Sequence, residues 1–336
     1  MKKFLSMLLA VVLVLSLGTV AFADGETKTY TDQSTVTLTK TYNLEGAGTS
    51  PTETFSFSTL KCTSVTDAAA GVTTDTAPVP TIDTVKFEAG AAGDTTKGVQ
   101  TATITLPTYT SVGVYTYTFT ETDNKTAGVT YRSDAIKLVV TVIEQDGKVR
   151  VAGVHTETAA GATKSGNFEN TYSAGSLDVT KEVTGLLGDK TKEFKVTVTF
   201  TAPEGKTVKS DVKYTDGSTE STLAWVNGVA TAEITLKDAE TVSFTNIPYD
   251  VTYTVVEDDY TGDGYDSAKY AYVDETTTAT TKIIDSAKET ATITNNKGAD
   301  PDTGITLDSM PYVVMLVVVC AGLFVVLAKK RAAREN

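Results

Sequence analysis

Apolar and polar residues alternate over short stretches along most of the chain, with a period of two rather than 3.6. Residues 101–106, 114–120, 137–143, 194–200, 230–236 and 252–256 each follow this pattern, and turn residues separate them. Asn227-Gly228, between 223–226 and 229–236, is the strongest hairpin signal. No stretch sustains a long helical period, so the pattern predicts an all-β protein. Two terminal runs break the alternation. At the N-terminus Lys2-Lys3 precede an apolar run over 4–17 and then Ala21-Phe22-Ala23, the layout of a secretory signal peptide over residues 1–23. The mature chain is expected to begin at Asp24. At the other end residues 312–327 are apolar and are followed by Lys329, Lys330, Arg331 and Arg334, which predicts a transmembrane segment with a basic cytoplasmic tail over 329–336. Its 16 residues fall short of the ~20 of a stable span, which suits transient retention at the membrane.

Just before that run stands Asp300-Pro301-Asp302-Thr303-Gly304, which resembles the LPxTG sorting signal with Asp in place of the leading Leu. An incidental Pro-x-Thr-Gly ahead of a simple membrane span is the alternative, and the order of motif, apolar run and basic tail disfavours it. The resemblance implies cleavage between Thr303 and Gly304 by a sortase, with the Thr303 carbonyl held as a thioester and then passed to an amine.

Processing at both ends changes the charge. Residues 24–303 hold 23 Lys and Arg against 40 Asp and Glu, a net charge of −17. Such a surface argues against nucleic-acid partners. Cys62 is the only thiol retained, since Cys320 lies in the apolar tail, so no intramolecular disulfide is available to this exported chain. With His155 the only histidine, Ser-His-Asp or Cys-His catalysis has few players. The acidic loop with Asp258, Asp259, Asp263 and Asp266 lacks EF-hand spacing and reads as a solvated turn rather than a Ca²⁺ site, so no metal ligands are assigned.

The alternating segments repeat once. Lys40 at the end of Val36-Thr-Leu-Thr-Lys40 answers to Lys181 in Leu177-Asp-Val-Thr-Lys181. Glu121 in Tyr115-Thr-Tyr-Thr-Phe-Thr-Glu121 answers to Glu257 in Val251-Thr-Tyr-Thr-Val-Val-Glu257, and Asn170 in Phe168-Glu-Asn170 to Asn295 in Ile293-Thr-Asn295. The offsets of 141, 136 and 125 residues keep the order while loops vary, which predicts two β-sandwich domains meeting at a small-residue joint, Ser173-Ala174-Gly175. Residues two apart share a strand face, so both lysines, both glutamates and both asparagines point where their apolar neighbours point, toward a core. Each set could be strand-end residues reaching solvent or a buried ion pair with a hydrogen-bonded Asn. The same three types, twice, in one order and parity, favour chemistry instead. Burial drives a Lys–Glu pair toward neutrality, leaving a nucleophilic amine and an acid able to polarise a carboxamide. Asn296 has the opposite parity and is excluded as the acceptor.

With these motifs the chain resembles two-domain streptococcal-type backbone pilins over nearly the whole mature region. The resemblance implies tandem Ig-like/CnaB-like sandwiches over 24–172 and 175–297, isopeptide bonds Lys40–Asn170 and Lys181–Asn295 assisted by Glu121 and Glu257, and no cofactor. It also implies an intersubunit bond from Thr303 to Lys164, which lies in Gly161-Ala-Thr-Lys164-Ser-Gly166 ahead of the Asn170 strand, where other lysines such as Lys97, Lys125 and Lys148 compete as acceptors. The Tyr-Pro-Lys motif usual in pilins is absent. The expected partners are a sortase, identical subunits, minor pilins and, through the pilus base, peptidoglycan. The expected location is the cell wall or pilus. A minor pilin or wall-anchored adhesin with the same domain chemistry is the alternative.

Overall fold

The computed structural model describes residues 31–158, 164–216, 219–272 and 281–298. The expected signal peptide, sorting motif, transmembrane segment and basic tail lie outside these residues. Among the described residues no helix is long and apolar enough to cross a membrane.

The chain is built from strands, as the alternation requires. The first half carries β1 (Thr35–Gly46), β2 (Glu53–Phe55), β3 (Lys61–Thr66), β4 (Thr81–Ile82), β5 (Val85–Phe87), β6 (Val99–Thr105), β7 (Gly113–Phe119), β8 (Val129–Thr130), β9 (Ile136–Gln145) and β10 (Lys148–Thr158). The second half carries β11 (Asn167–Thr184), β12 (Phe194–Thr201), β13 (Lys213–Asp216), β14 (Thr219–Thr222), β15 (Val229–Leu236), β16 (Thr241–Pro248), β17 (Thr252–Glu257), β18 (Lys269–Tyr272), β19 (Thr281–Ile283) and β20 (Glu289–Asn296). The six strands read from the sequence lie within two residues of β6, β7, β9, β12, β15 and β17. Asn227 and Gly228 do form a two-residue turn, with φ of 50° and 78° and paired backbone bonds between Val226 and Val229. The arm before it is a single bridge, because β15 finds its ladder on β12.

Two sandwiches result. In the first, β4, β6, β1 and β11 face a sheet of β10, β9, β7 and β3, around a core that includes Leu38, Tyr42, Tyr117, Leu138 and Phe168. In the second, the other half of β11 lies between β20 and β16 and faces a sheet of β15, β12, β17 and β19, around Val179, Val198, Phe244 and Ile293. Strand β11 therefore closes one domain and opens the next without interruption.

The expected joint at Ser173-Ala174-Gly175 lies inside this 18-residue strand. Its residues are small because packing is close, not because the chain bends there. Ala174 is fully buried, and a Cβ on Gly175 would stand 2.1 Å from the Ser286 carbonyl oxygen. A register irregularity between Gly175 and Leu177 against β16 reverses the alternation, so buried positions are even-numbered from Phe168 to Tyr172 and odd-numbered from Leu177 to Val183.

First and last strands of each domain are parallel neighbours. Lys40 on β1 is paired with Phe168 on β11, and Lys181 on β11 with Ile293 on β20. Asn170 and Asn295 each come two residues further along, on the same face as that partner. The two domains therefore share one Lys-to-Asn register.

Candidate functional site

The parity argument requires six polar side chains in the cores, and all six are buried: both lysines are fully inaccessible, the asparagines are 1 % exposed, and Glu121 and Glu257 are 7 % and 8 % exposed. They form two clusters. In the first, Lys40 Nζ donates to both Glu121 Oε1 and Asn170 Oδ1. The Asn170 amide Nδ2 donates to Glu121 Oε2 and to the Thr130 carbonyl, both at 2.8 Å. The Arg132 backbone N–H donates to the same Glu121 oxygen at 2.7 Å. In the second, Lys181 Nζ donates to Asn295 Oδ1 at 2.5 Å and, at 3.3 Å, to the carbonyls of Glu182 and Ile293. Glu257 Oε1 lies 3.3 Å from that amine, close enough for charge interaction, yet neither carboxylate oxygen accepts a well-formed hydrogen bond.

Backbone register accounts for the Lys–Asn contact, and the opposite sheet supplies the acid. Glu257 ends β17 and Glu121 lies two residues past β7, so each reaches across its sandwich from the facing sheet. Apolar walls complete the sites: the Lys40 amine sits 4.3 Å from the Phe55 ring centroid and the Lys181 amine 4.3 Å from that of Phe194. Burial pushes the Lys40 amine below the ordinary lysine range, against the pull of Glu121 and with a further push from Arg132. Burial likewise lowers Lys181, opposed by Glu257. It raises the Glu257 carboxyl, opposed by Lys181 and Asn295. An amine that burial drives toward its uncharged form, set on the oxygen of a carboxamide beside a buried carboxyl, is equipped for acyl transfer from the Asn side chain.

Other expected residues separate from these clusters. Lys164 is exposed, paired in an isolated antiparallel bridge with Glu157, three residues before β11 begins. Pro301, Asp302, Thr303 and Gly304 lie outside the described residues. Asn296 faces away, its Oδ1 accepting from Thr184 and its Nδ2 donating to Asp266 at 2.8 Å. In the acidic loop Asp263 pairs with Lys192 at 3.0 Å, and no metal-ligating cluster is found among the described residues. Cys62 is buried, and His155 pairs with Glu157 at 2.8 Å. Phe55, Phe194, Thr130 and Arg132 were not anticipated. The phenylalanines could have been sought as the apolar residue at the end of a short strand after the Lys40 strand and at the start of the strand after the Lys181 strand; β8, two residues long, carries no periodicity to find.

Residues 36–173 match the family described as the Spy0128-like isopeptide containing domain, FctA, and residues 175–297 match the domain of unknown function DUF7601. A pilin of Streptococcus pyogenes serotype M1 is 29 % identical over 243 residues, covering 67 % of this chain and 70 % of that one. The crystal structure of the major pilin from Streptococcus pyogenes is similar in fold, with a TM-score of 0.51 at 22 % identity, covering 80 % of this chain and all of that one. A mutant form of that pilin gives 0.50 at the same identity, covering 79 % and 99 %.

Proposed function

Taking the chain as a homologue of the Streptococcus pyogenes pilin, we propose that it is a shaft-forming subunit of a Gram-positive pilus, sealed inside each domain and joined between subunits by isopeptide bonds. The observation that carries this reading is the twice-built cluster with Lys Nζ on Asn Oδ1 in one register. Within a domain, the neutral Lys amine attacks Asn Cγ. The Nζ–Cγ bond forms, the Cγ–Nδ2 bond breaks, and the Glu carries one proton from the amine to the departing nitrogen, which leaves as ammonia. No cofactor or oxidant is needed. The chain is a structural protein, and this self-directed step is its only chemistry.

Between subunits, a sortase releases the Thr303 carbonyl from Gly304 and passes it to Lys164 of the next chain. Polarity of the fold supports this. Lys164 precedes one end of β11, and Lys297, from which the chain leads to Thr303, hydrogen-bonds through its N–H to Thr184 at the other end. At ~3.3 Å per residue those poles are about 55–60 Å apart, so a Thr303–Lys164 bond strings subunits head to tail along β11. The membrane-held precursor then becomes a polymer attached through its base to peptidoglycan.

Intact mass tests the internal bonds. The folded ectodomain is expected to weigh two ammonia molecules less than its sequence, with Glu121→Ala and Glu257→Ala each restoring one; a full sequence mass in a folded sample would sink the reading. For the polymer, Lys164→Ala is expected to abolish the high-mass ladder on denaturing gels while monomer is still exported. Immunogold labelling along the shaft supports the shaft role, and labelling confined to tip or base contradicts it.

A further inference from the structure

The segment 121–132 touches two things at once. At its two ends it carries the groups that orient the first cluster: Glu121 itself at the start, and the Thr130 carbonyl on the Asn170 amide and the Arg132 N–H on Glu121 at the finish. In its middle it is docked to the second domain. Thr126 and Thr207 form a parallel bridge, the Ala127 N–H donates to the Thr207 carbonyl at 2.9 Å, and the Thr207 N–H donates to the Lys125 carbonyl at 2.8 Å.

Beneath this contact lies Glu53, a β2 carboxylate 1 % exposed. It accepts from Asn124 Nδ2 and Thr126 Oγ1, both at 2.7 Å and both on the segment, and from Lys209 Nζ of the second domain at 3.0 Å. Those three donors hold the buried carboxyl below its ordinary range in spite of its desolvation. A buried carboxylate that loses its cation is costly, so the Asn124 and Thr126 contacts are secure only while Lys209 is docked. Within the segment, Thr126 on the carboxylate of the interdomain ion pair stands only four residues before Thr130, whose carbonyl holds the reacting carboxamide. In the second domain Glu257 ends β17, a strand laddered to β12 and β19 of its own sandwich.

We infer that Glu53 and Lys209 are positioning residues for the first crosslink: docking of the second domain sets segment 121–132 against Asn170 and Glu121, so closure of Lys40–Asn170 depends on the second domain while closure of Lys181–Asn295 does not depend on the first. This rests on the crosslinking proposed above. Since the first domain is also synthesised first, its bond waits until the rest of the chain has folded.

The experiment follows newly synthesised ectodomain through time, with quenching, proteolysis and mass measurement of the two crosslinked peptides separately. Lys209→Ala and Thr207→Pro are expected to slow Lys40–Asn170 closure by roughly tenfold or more, the scale of a small misplacement of reacting groups. Both should leave Lys181–Asn295 at its normal rate, and that second bond reports that the variant chain has folded. Lys209→Arg, which keeps the cation, should restore the first rate. The inference is overturned by normal closure of the first bond in both variants, or by equal slowing of both bonds. A wild-type chain that never loses ammonia would instead remove the crosslinks themselves.

Discussion

In the first domain Glu121 accepts hydrogen bonds from a backbone N–H and from the Asn170 carboxamide, whereas in the second Glu257 lies beside an offset Lys181 amine and Asn295 without a well-formed hydrogen bond, and burial pushes its carboxyl upward. The lysine and asparagine of the two sites are nevertheless related identically, two residues out of step on parallel neighbours. The contrast separates two kinds of control. Strand register decides which amine meets which carboxamide, and it leaves no freedom once the sheet is formed. The acid's surroundings come from whichever loop passes it, and they differ between the domains.

Mechanical load should distinguish the domains most. Pulled between Lys164 and Thr303, force would run down β11 and cross at the proposed Lys181–Asn295 bond, leaving the 113 residues from 182 to 294 outside the covalent path. Asn295→Ala is expected to add an extension step of up to ~380 Å at ~3.4 Å per residue, and Asn170→Ala none, because residues before Lys164 carry no through-load. Single-molecule pulling checks this, and equal steps in both variants would refute the force path.

Heat, unlike force, should treat the domains almost alike. The proposed bonds would enclose 129 residues between Lys40 and Asn170 and 113 between Lys181 and Asn295, loops whose closure entropies are nearly equal. By analogy with a disulfide of that loop size, losing either bond costs about 5 kcal/mol. Calorimetry of Asn170→Ala and Asn295→Ala should therefore show Tm falls of similar size, on the order of 10–20 °C. A large disparity would mean that native-state packing around the clusters, not chain entropy, dominates.

Much of this was legible in the sequence, and what was not has a common cause. Strand positions and the six polar core residues follow from period-two alternation, which is a local property. The unbroken β11 does not, because Ser173-Ala174-Gly175 has the composition of a joint whether its small side chains answer a bend or a close approach by Ser286. The Glu53–Lys209 pair spans 156 residues, and nothing in either neighbourhood marks it. Thr130 and Arg132 act through backbone atoms, which any residue type presents. Long-range and backbone-borne contacts are the ones an isolated sequence hides.

Acidity should reveal the difference between the two carboxylates on a smaller scale. In the second domain burial lowers Lys181 from 10.5 and raises Glu257 from 4.5. Lowering pH through the depressed lysine value protonates and blocks the amine; raising pH through the elevated glutamate value removes the acid. Closure of Lys181–Asn295 should thus peak between these limits and fall severalfold per pH unit on either flank. A quenched time course measures it, and a rate still rising toward pH 10 would contradict the acid role of Glu257. The smallest effect is expected at Asn296. Its side chain serves Thr184 and Asp266, so Asn296→Ala should leave the intact mass deficit unchanged, and recovery of an ammonia would reassign the acceptor.

The shared strand also sets a rule about insertions. Loops around the clusters have absorbed length changes freely, as the unequal offsets of 141, 136 and 125 between the repeated residues record. Along β11 no such tolerance exists. Asn170 and Lys181 are eleven positions apart on one continuous strand, and a single residue gained or lost within 173–176 would turn either Asn170 or Lys181 out of its core. The few codons at the centre of this gene thus hold a count rather than a spacer. A domain exchanged with a relative would have to be cut so that this count survives.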